Sequence, residues 1–355
     1  MDNYTIGCDA HKRYSVFAVL DTKGTLKIHK RIEHDPGAIQ AFLEQFPSGT
    51  RVALESVGNW YWIADEIEAA GCIPLLTHPA KAKVMMGNVN KTDKLDAKGL
   101  ATLLRLNSLP YVWLPPGKTR DDRELPRTRM ALAKIRTALK NRIHATLAKY
   151  NQKLEGASDI FIPKWREELI STLAQLPPET QNCLRTELEL LDQLMGQIQQ
   201  LETRIQEVVA DCEQIQLLKT LPGIGDILGI VIQQEVGRID RFPSAEHFAS
   251  YCGVVPTVKA SGGKFHYGRM RKQSNQYLKW AFIEAANVVV LKHTSPKWRS
   301  RHVARLYLRM RSRKGHKIAV GALARHLAEA AYWVLTKCEP YREPAASRQV
   351  TPKSG

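Results

Sequence analysis

Five short β-rich runs within the first 76 residues, and the way they are joined, constrain the fold more than any other feature of the chain. Residues 3–9 (NYTIGCD), 14–20 (YSVFAVL) and 25–32 (TLKIHKRI) follow closely on one another, the last two across Asp21-Thr22-Lys23-Gly24, a hairpin signal. The pattern then alternates: a helix from about Pro36 to Gln45, the strand RVALES at 51–56, a helix from Trp60 to Ala70, the strand CIPLL at 72–76 and a short helix over Pro79–Met86. Parallel neighbours need a crossover of a dozen or more residues, so the first three strands are antiparallel and the later ones are free to be parallel. The order predicts a mixed sheet.

Acids punctuate this order. Asp9 ends the first strand and Glu55 the fourth, while Asp93 and Asp96 open a helix in NKTDKLDAKGLATLL (90–104), backed by Ala97, Leu100, Ala101 and Leu104. Helix positions three apart share a face at about 5–6 Å, so two carboxylates there repel unless a cation lies between them. Taken singly, each acid also reads as a helix cap, a turn cap or a strand-end surface residue. Taken together, the four read as a site for two Mg²⁺ ions. Open α/β sheets collect their sites at strand C-terminal ends. Two such ions on carboxylate oxygens, about 3.5–4 Å apart, suit in-line displacement at phosphorus.

The charge points to the same class of partner. The net charge is +17, and fifteen Lys or Arg stand against one acid, Glu284, between Lys264 and Lys317. A second block, Lys118 to Lys149, holds ten basic and three acidic residues. Solvated faces mix both signs; single-sign blocks are the footprint of a polyanion such as a nucleic-acid backbone. No run of eighteen apolar residues predicts a membrane span. The first residues, MDNYTIGCDAHK, lack the apolar stretch expected of a secretory signal. The six cysteines are scattered without a CxxC pair, which fits a reduced cytoplasmic interior.

Further along, a basic helix is expected from Asp121 to Asn151, burying one stripe of Leu132, Ile135, Leu139, Ile143 and Leu147 and exposing a cationic face. After Pro177-Pro178 a long helix carries Leu184, Leu188, Leu191, Met195, Ile198, Leu201, Ile205, Val208, Cys212 and Ile215 at heptad spacing with one three-residue stammer. Core packing within one subunit and pairing between subunits explain it equally well. Leu221-Pro222-Gly223-Ile224-Gly225 then joins two helices in the manner of a helix-hairpin-helix, in which backbone N–H groups face a phosphate; an ordinary helix–helix turn is the alternative.

Next comes an irregular piece, Ser261-Gly262-Gly263-Lys264, followed by Arg269, Arg271 and Lys272. A serine ringed by cations suits attack on a phosphate, although a flexible glycine loop explains the segment as well. Ser261-x-x-Lys264 also fits the serine β-lactamase motif, but the companion S-D-N and K-T-G elements are absent. An Arg-rich stretch with Arg309, Arg311, Arg313 and Lys314 leads into an amphipathic helix at 319–335, and the tail after Glu339 reads as disordered.

Six segments resemble a known family in order: GCDAHK around Asp9, ALES around Glu55, KTDKLDAKGLA around Asp93 and Asp96, LPGIG around Gly223, the run Phe242–Pro256, and Ser261-Gly262. Over about residues 4–335 they are similar to the DEDD transposases of the IS110 insertion-sequence family, relatives of Piv-type DNA invertases. The resemblance implies an α/β plus all-α chain. Residues 1–117 would form a RuvC/ribonuclease-H-like DEDD catalytic domain and 118–217 a helical linker and coiled coil. Residues 218–338 would form a mainly helical transposase domain with the helix-hairpin-helix-like element, and 339–355 a flexible tail.

The resemblance also implies Asp9, Glu55, Asp93 and Asp96 as ligands of Mg²⁺, with Mn²⁺ as substitute, and Ser261 as a nucleophile that becomes covalently joined to DNA. Gly223, Gly225, Lys264, Arg269, Arg271, Lys272, Arg309, Arg311, Arg313 and Lys314 are the expected nucleic-acid contacts. The implied partners are double-stranded target and donor DNA, a structured guide (bridge) RNA from the same element, and further copies in a dimer or tetramer, in a prokaryotic cytoplasm at the nucleoid. One departure is Gln273-Ser274-Asn275, where relatives more often carry a basic residue and glycine before the Asn. The competing expectation is a RuvC-type junction endonuclease that hydrolyses DNA with metal-bound water and needs no serine.

Overall fold

The computed structural model describes residues 4–87, 93–271 and 273–344, without the side chains of Asp93, Lys94 and Lys259. The chain is mixed α/β and divides into two compact units, residues 1–116 and 117–355.

In the first unit β1 (Thr5–Ala10), β2 (Tyr14–Leu20), β3 (Leu26–Glu33), α1 (Ala38–Leu43), β4 (Arg51–Glu55), α2 (Trp60–Ala69), β5 (Ile73–Thr77), α3 (Pro79–Met86) and α4 (Asp93–Arg105) follow in order. The sheet order is β3-β2-β1-β4-β5, with β3-β2-β1 antiparallel and β1-β4-β5 parallel, the mixed sheet that the connection lengths predict. Both faces are covered. Ile6, Cys8, Phe17, Val19, Val52 and Leu54 point to one side, where Ile39, Phe42, Leu43, Ile63 and Ile67 of α1 and α2 close over them. The other face presents small residues, and α4 lies against it. A Cβ added to Gly7 would stand 2.0 Å from the Ala97 carbonyl oxygen, so only glycine lets the helix backbone come this close. Leu100 and Leu104 of α4 are fully buried, each contributing about 1.5–3 kcal/mol.

The second unit begins with α5 (Gly117–Asp122), α6 (Glu124–Lys149), α7 (Arg166–Leu173), α8 (Pro178–Ala210), α9 (Glu213–Lys219), α10 (Asp226–Val236) and α11 (Ala245–Tyr251). The strands β6 (Pro256–Ser261) and β7 (Lys264–Met270) interrupt the helices, which resume as α12 (Gln276–Lys292), α13 (Pro296–Arg299), α14 (His302–Lys314) and α15 (His316–Lys337). One large core gathers Phe248, Phe282, Tyr307, Leu323 and Leu327 from α11, α12, α14 and α15.

Four expectations are corrected here. The buried residues of α6 are Pro126, Met130, Ile143 and Leu147, not one stripe through Leu132 and Ile135, and Ile135 is exposed. The helix serves two cores: Met130 joins that of α12 and α15, whereas Ile143 and Leu147 join that of α7 and α8. The long apolar line is not one helix to Ile215, because α8 stops at Ala210 and α9 starts at Glu213. Leu194 and Val209 are buried where Met195 and Val208 were expected, because α8 packs within the chain against α6 and α7 and follows their surface. The Arg129–Glu202 and Arg142–Glu187 ion pairs show that α6 and α8 run antiparallel.

The Ser261 segment is not irregular. It is a two-residue β-hairpin with Gly262 and Gly263 both at positive φ, the backbone of a type I′ turn. The first residues of the tail are ordered as well. The Tyr341 N–H donates to Thr220 Oγ1 at 2.8 Å, and Glu343 accepts from Arg301 Nε and the His302 N–H, both at 2.8 Å; residues 345–355 lie outside those described.

Candidate active site

The sheet delivers two acids to one place. The register of β1 with β4 pairs Cys8 with Leu54, so the next residues on the two parallel strands are Asp9 and Glu55, on strands about 4.7–4.9 Å apart. Side chains alternate along a strand. Gly7 faces α4 and Ala53 packs with Leu100, so Asp9 and Glu55, two residues further on, face the α4 side as well.

The third acid comes from α4, whose direction is fixed at its far end. Arg105 lies against Gly24 in the β2–β3 turn, and Asn107 Oδ1 accepts from Arg51 Nη1 at the start of β4. The helix therefore runs antiparallel to β1, and its first turn sits at the C-terminal ends of β1 and β4. Asp96 is half-buried there, one turn before Leu100. Asp93 begins the helix, but its side chain lies outside the described residues. Asp9 Oδ2 is 3.1 Å from His11 Nε2, and the His11 ring stacks on Tyr14 at 4.5 Å. Asn59 Nδ2 donates to the His11 carbonyl at 2.7 Å and fixes the turn that carries it.

Among the described residues, no group of three or more His, Cys, Asp or Glu side chains is drawn together closely enough to hold a metal. The fold brings Asp9, Glu55 and Asp96 to one end of the sheet, and their carboxylates are the hard oxygen donors that Mg²⁺ and Mn²⁺ take. In donor chemistry the residues fit such an ion, whereas the three described carboxylates are not drawn together closely enough to hold one by themselves. Cys8, beside Asp9, is no competing ligand: burial pushes its thiol far up, and it faces the α1–α2 core.

In the second unit Ser261 ends β6 opposite Lys264, exposed at the hairpin tip. Arg269 and Arg271 are exposed on and after β7, and Lys272 lies outside the described residues. Arg309, Arg311, Arg313 and Lys314 are exposed along the last turns of α14. Gly223 takes φ 85°, and a Cβ there would stand 2.3 Å from the Ala285 carbonyl oxygen, so its close approach is to α12. Gly225 caps α10 and has open space around it, but the first turn of α10 already holds an acid, Asp226, paired with Lys219 at 2.7 Å.

Sequence reasoning missed a buried ionic hub. Glu235 of α10, 1% exposed, receives Arg127 Nε at 2.7 Å and Nη2 at 3.0 Å, and Asn275 Nδ2 at 2.8 Å. Arg123 Nη2 donates to the Glu235 carbonyl at 2.9 Å. The Asn275 side-chain oxygen meanwhile caps α12, accepting from the Tyr277 and Leu278 N–H groups at 3.0 Å. The hub ties α6, α10 and the start of α12 together, and Asn275 follows the serine hairpin in the chain. Its signal was an acid inside the apolar run DILGIVIQQEV, which demands a buried cation. The expected cationic face is reduced accordingly, since Arg123, the N-cap of α6, is buried and Arg127 is turned into the hub.

Known proteins share both units. The sequence model of the DEDD transposases matches residues 6–152, and that of the transposase IS116/IS110/IS902 family matches residues 215–303. The transposase for insertion sequence element IS1111A of Coxiella burnetii is 28% identical over 257 residues, 71% of this chain and 69% of that protein. A probable family 20 transposase of Pseudomonas aeruginosa is 27% identical over 253 residues, 71% of this chain and 74% of that one. The transposase for insertion sequence element IS1328 of Yersinia enterocolitica is 26% identical over 340 residues, 95% of this chain and 98% of its own.

Proposed function

The chain belongs to the IS110 family of transposases, and on that premise we propose that it cuts and rejoins DNA strands through a covalent bond between Ser261 and a DNA phosphate. The observation that carries this reading is the shared sheet end of Asp9, Glu55 and the first turn of α4, in a chain of a family of DEDD transposases. Asp9, Glu55, Asp93 and Asp96 are the residues that would hold Mg²⁺ or Mn²⁺. When bound, the ion withdraws charge from the scissile phosphate and eases ionisation of a hydroxyl.

The chain's own residues supply the rest. His11, stacked on Tyr14 and held by Asn59, orients the Asp9 carboxylate. The Ser261 oxygen forms a bond to phosphorus and gives up its proton, while the sugar oxygen of the broken strand leaves and takes one up. One phosphodiester is exchanged for another, so a sugar hydroxyl can later reverse the step without ATP. Lys264, opposite the serine, neutralises the phosphate on which charge develops, and Arg269 and Arg271, five and seven residues further from the tip, meet other phosphates of the strand. Target and donor duplexes lie on the basic surfaces, selected by a structured guide RNA, and further copies complete a dimer or tetramer at the nucleoid. The remaining finer assignments of this reading are a RuvC-like first unit, a helix-hairpin-helix role for 221–225, and coiled-coil pairing by α8. Among the described residues no helix is long and apolar enough to cross a membrane.

The test is an adduct trap. Wild-type protein carrying its co-purifying RNA, mixed with DNA and Mg²⁺ and then denatured, should leave DNA covalently attached, and Ser261→Ala should leave none while still binding DNA. A Ser261→Ala variant that recombines at the wild-type rate refutes the serine's role and favours water-mediated hydrolysis. Sequencing the nucleic acid that co-purifies with the protein tests the guide.

A further inference from the structure

The β6–β7 hairpin has two unlike faces. Its register sets Ser261 opposite Lys264 on one, and Ala260 opposite Phe265 and Val258 opposite Tyr267 on the other. The second face is open: Phe265 is 65% exposed, Tyr267 69% and Val258 48%. Neighbouring rings on the same side of one strand stand about 6.6 Å apart, two residues at about 3.3 Å each. That is twice the ~3.4 Å step between successive bases of a stacked strand, the gap that admits one flat base between two rings.

Charge says what such a base belongs to. Between Glu246 and Glu284 the chain carries no acid, while Lys259, Lys264, Arg269, Arg271, Lys272 and Lys279 fall within that span. Open aromatic rings in a single-sign cationic segment match a strand of nucleic acid whose phosphates meet the cations and whose unstacked bases meet the rings. A second copy of this chain, itself at net +17, would bring more of the same charge to the face.

We infer that Phe265 and Tyr267 form a stacking platform for unpaired bases of the DNA strand whose phosphate Ser261 attacks. The inference rests on the DNA-strand reading above. The hairpin then works with both faces: the rings hold a base out of the duplex, and the tip presents the serine to the backbone that the extruded base exposes. Ser261 and Phe265 are near neighbours in the register, which makes base capture and nucleophile placement one event.

The experiment uses the full chain in EDTA and two oligodeoxynucleotides of equal length. One is a perfect duplex; the other carries 2-aminopurine in an unpaired bulge. Wild-type protein should quench the 2-aminopurine fluorescence on binding. Phe265→Ala and Tyr267→Ala should each weaken binding of the bulged DNA about five- to hundredfold, with duplex affinity changed less than about twofold, and Phe265→Trp should keep the quenching. Both positions are exposed, so unchanged melting curves should accompany these losses.

Equal affinity of wild-type and alanine variants for the bulge sinks the platform, as does an equal loss on the duplex. A loss seen only with an RNA strand of the same sequence, or a change in sedimentation of the variants without DNA, assigns the face to RNA or to protein and sinks it too. Wild-type protein that binds neither DNA refutes instead the DNA-strand reading beneath it.

Discussion

The two units hold their candidate residues in opposite ways. Asp9 and Glu55 sit on central strands of a sheet covered on both faces, and the helix carrying Asp93 and Asp96 is pinned to that sheet at Gly7. Ser261 stands at the exposed tip of a two-stranded hairpin, with the Gly262-Gly263 turn open to solvent. A charge cluster needs rigid support, because carboxylates repel and drift apart unless packing holds them. A nucleophile that must reach into a long polyanion gains from an exposed mount. The difference predicts that mutations near the acids act through geometry and folding, whereas mutations of the hairpin act on chemistry with little effect on stability.

The largest effect tests whether the acid end is catalytic at all. Asp9→Asn should preserve the fold and DNA binding yet lower strand cleavage by about 10²–10³-fold or more, measured by single-turnover cleavage of end-labelled DNA. Cleavage at wild-type rate would break the comparison at its root. Removing Mg²⁺ with EDTA should stop cleavage in the wild type, and Mn²⁺ should restore it.

Next come two substitutions that separate support from site. Glu235→Ala strands Arg127 beside an empty pocket and should cost about 3–5 kcal/mol, read as a shift in the urea midpoint of the second unit. Gly7→Val forces α4 off the sheet and should cost about 1–3 kcal/mol or more while also reducing cleavage, because Asp93 and Asp96 move with the helix. Gly262→Ala, at φ 55°, strains only the turn, by about 1–2 kcal/mol, and should leave the global transition in place while slowing adduct formation. If Gly262→Ala lowered global stability as much as Gly7→Val, the hairpin would be a structural element and the contrast would fail.

How much of this was legible in the sequence follows the same division. The first unit could be read almost strand by strand, because short connections and two-sided apolar runs leave a sheet few alternatives. Asp9 beside Glu55 followed from strand order, but their common face did not; it depends on Gly7 and Ala53 admitting α4, a tertiary fact. The hairpin has a turn signal, Gly262-Gly263 between two alternating runs, but the dense basic residues around it break the apolar period that marks a strand. Glu235 stands out as an acid in an apolar run, but its partners do not: Arg127 lies more than a hundred residues away on α6, and no local pattern pairs them.

The smallest effect is a pH dependence that probes the two units separately. Burial holds the His34 pKa below its usual 6.5 in the first unit, where Ser15 Oγ lies 2.8 Å from the ring and Trp62 packs edge-on against it. In the second unit burial, with the His302 ring beside it, lowers His326, against the opposing pull of Glu329 and Glu343. A histidine with a lowered folded pKa binds its proton more readily when unfolded, so the unfolded state takes up more protons as pH falls below 6.5. Stability from each ring is therefore complete above about pH 6.5 and is lost as pH falls from there through the folded pKa. Carboxylates held below their usual range, such as Asp21, Asp159 and Asp240, lose their contribution only near and below 3.8, outside that window. Melting curves between pH 7.5 and 5.5 should show a modest loss. His34→Gln should remove it from the first unit's transition and His326→Gln from the second's. If either substitution flattened both transitions equally, the two units would be unfolding as one, and their contrasting modes of support would no longer be independent.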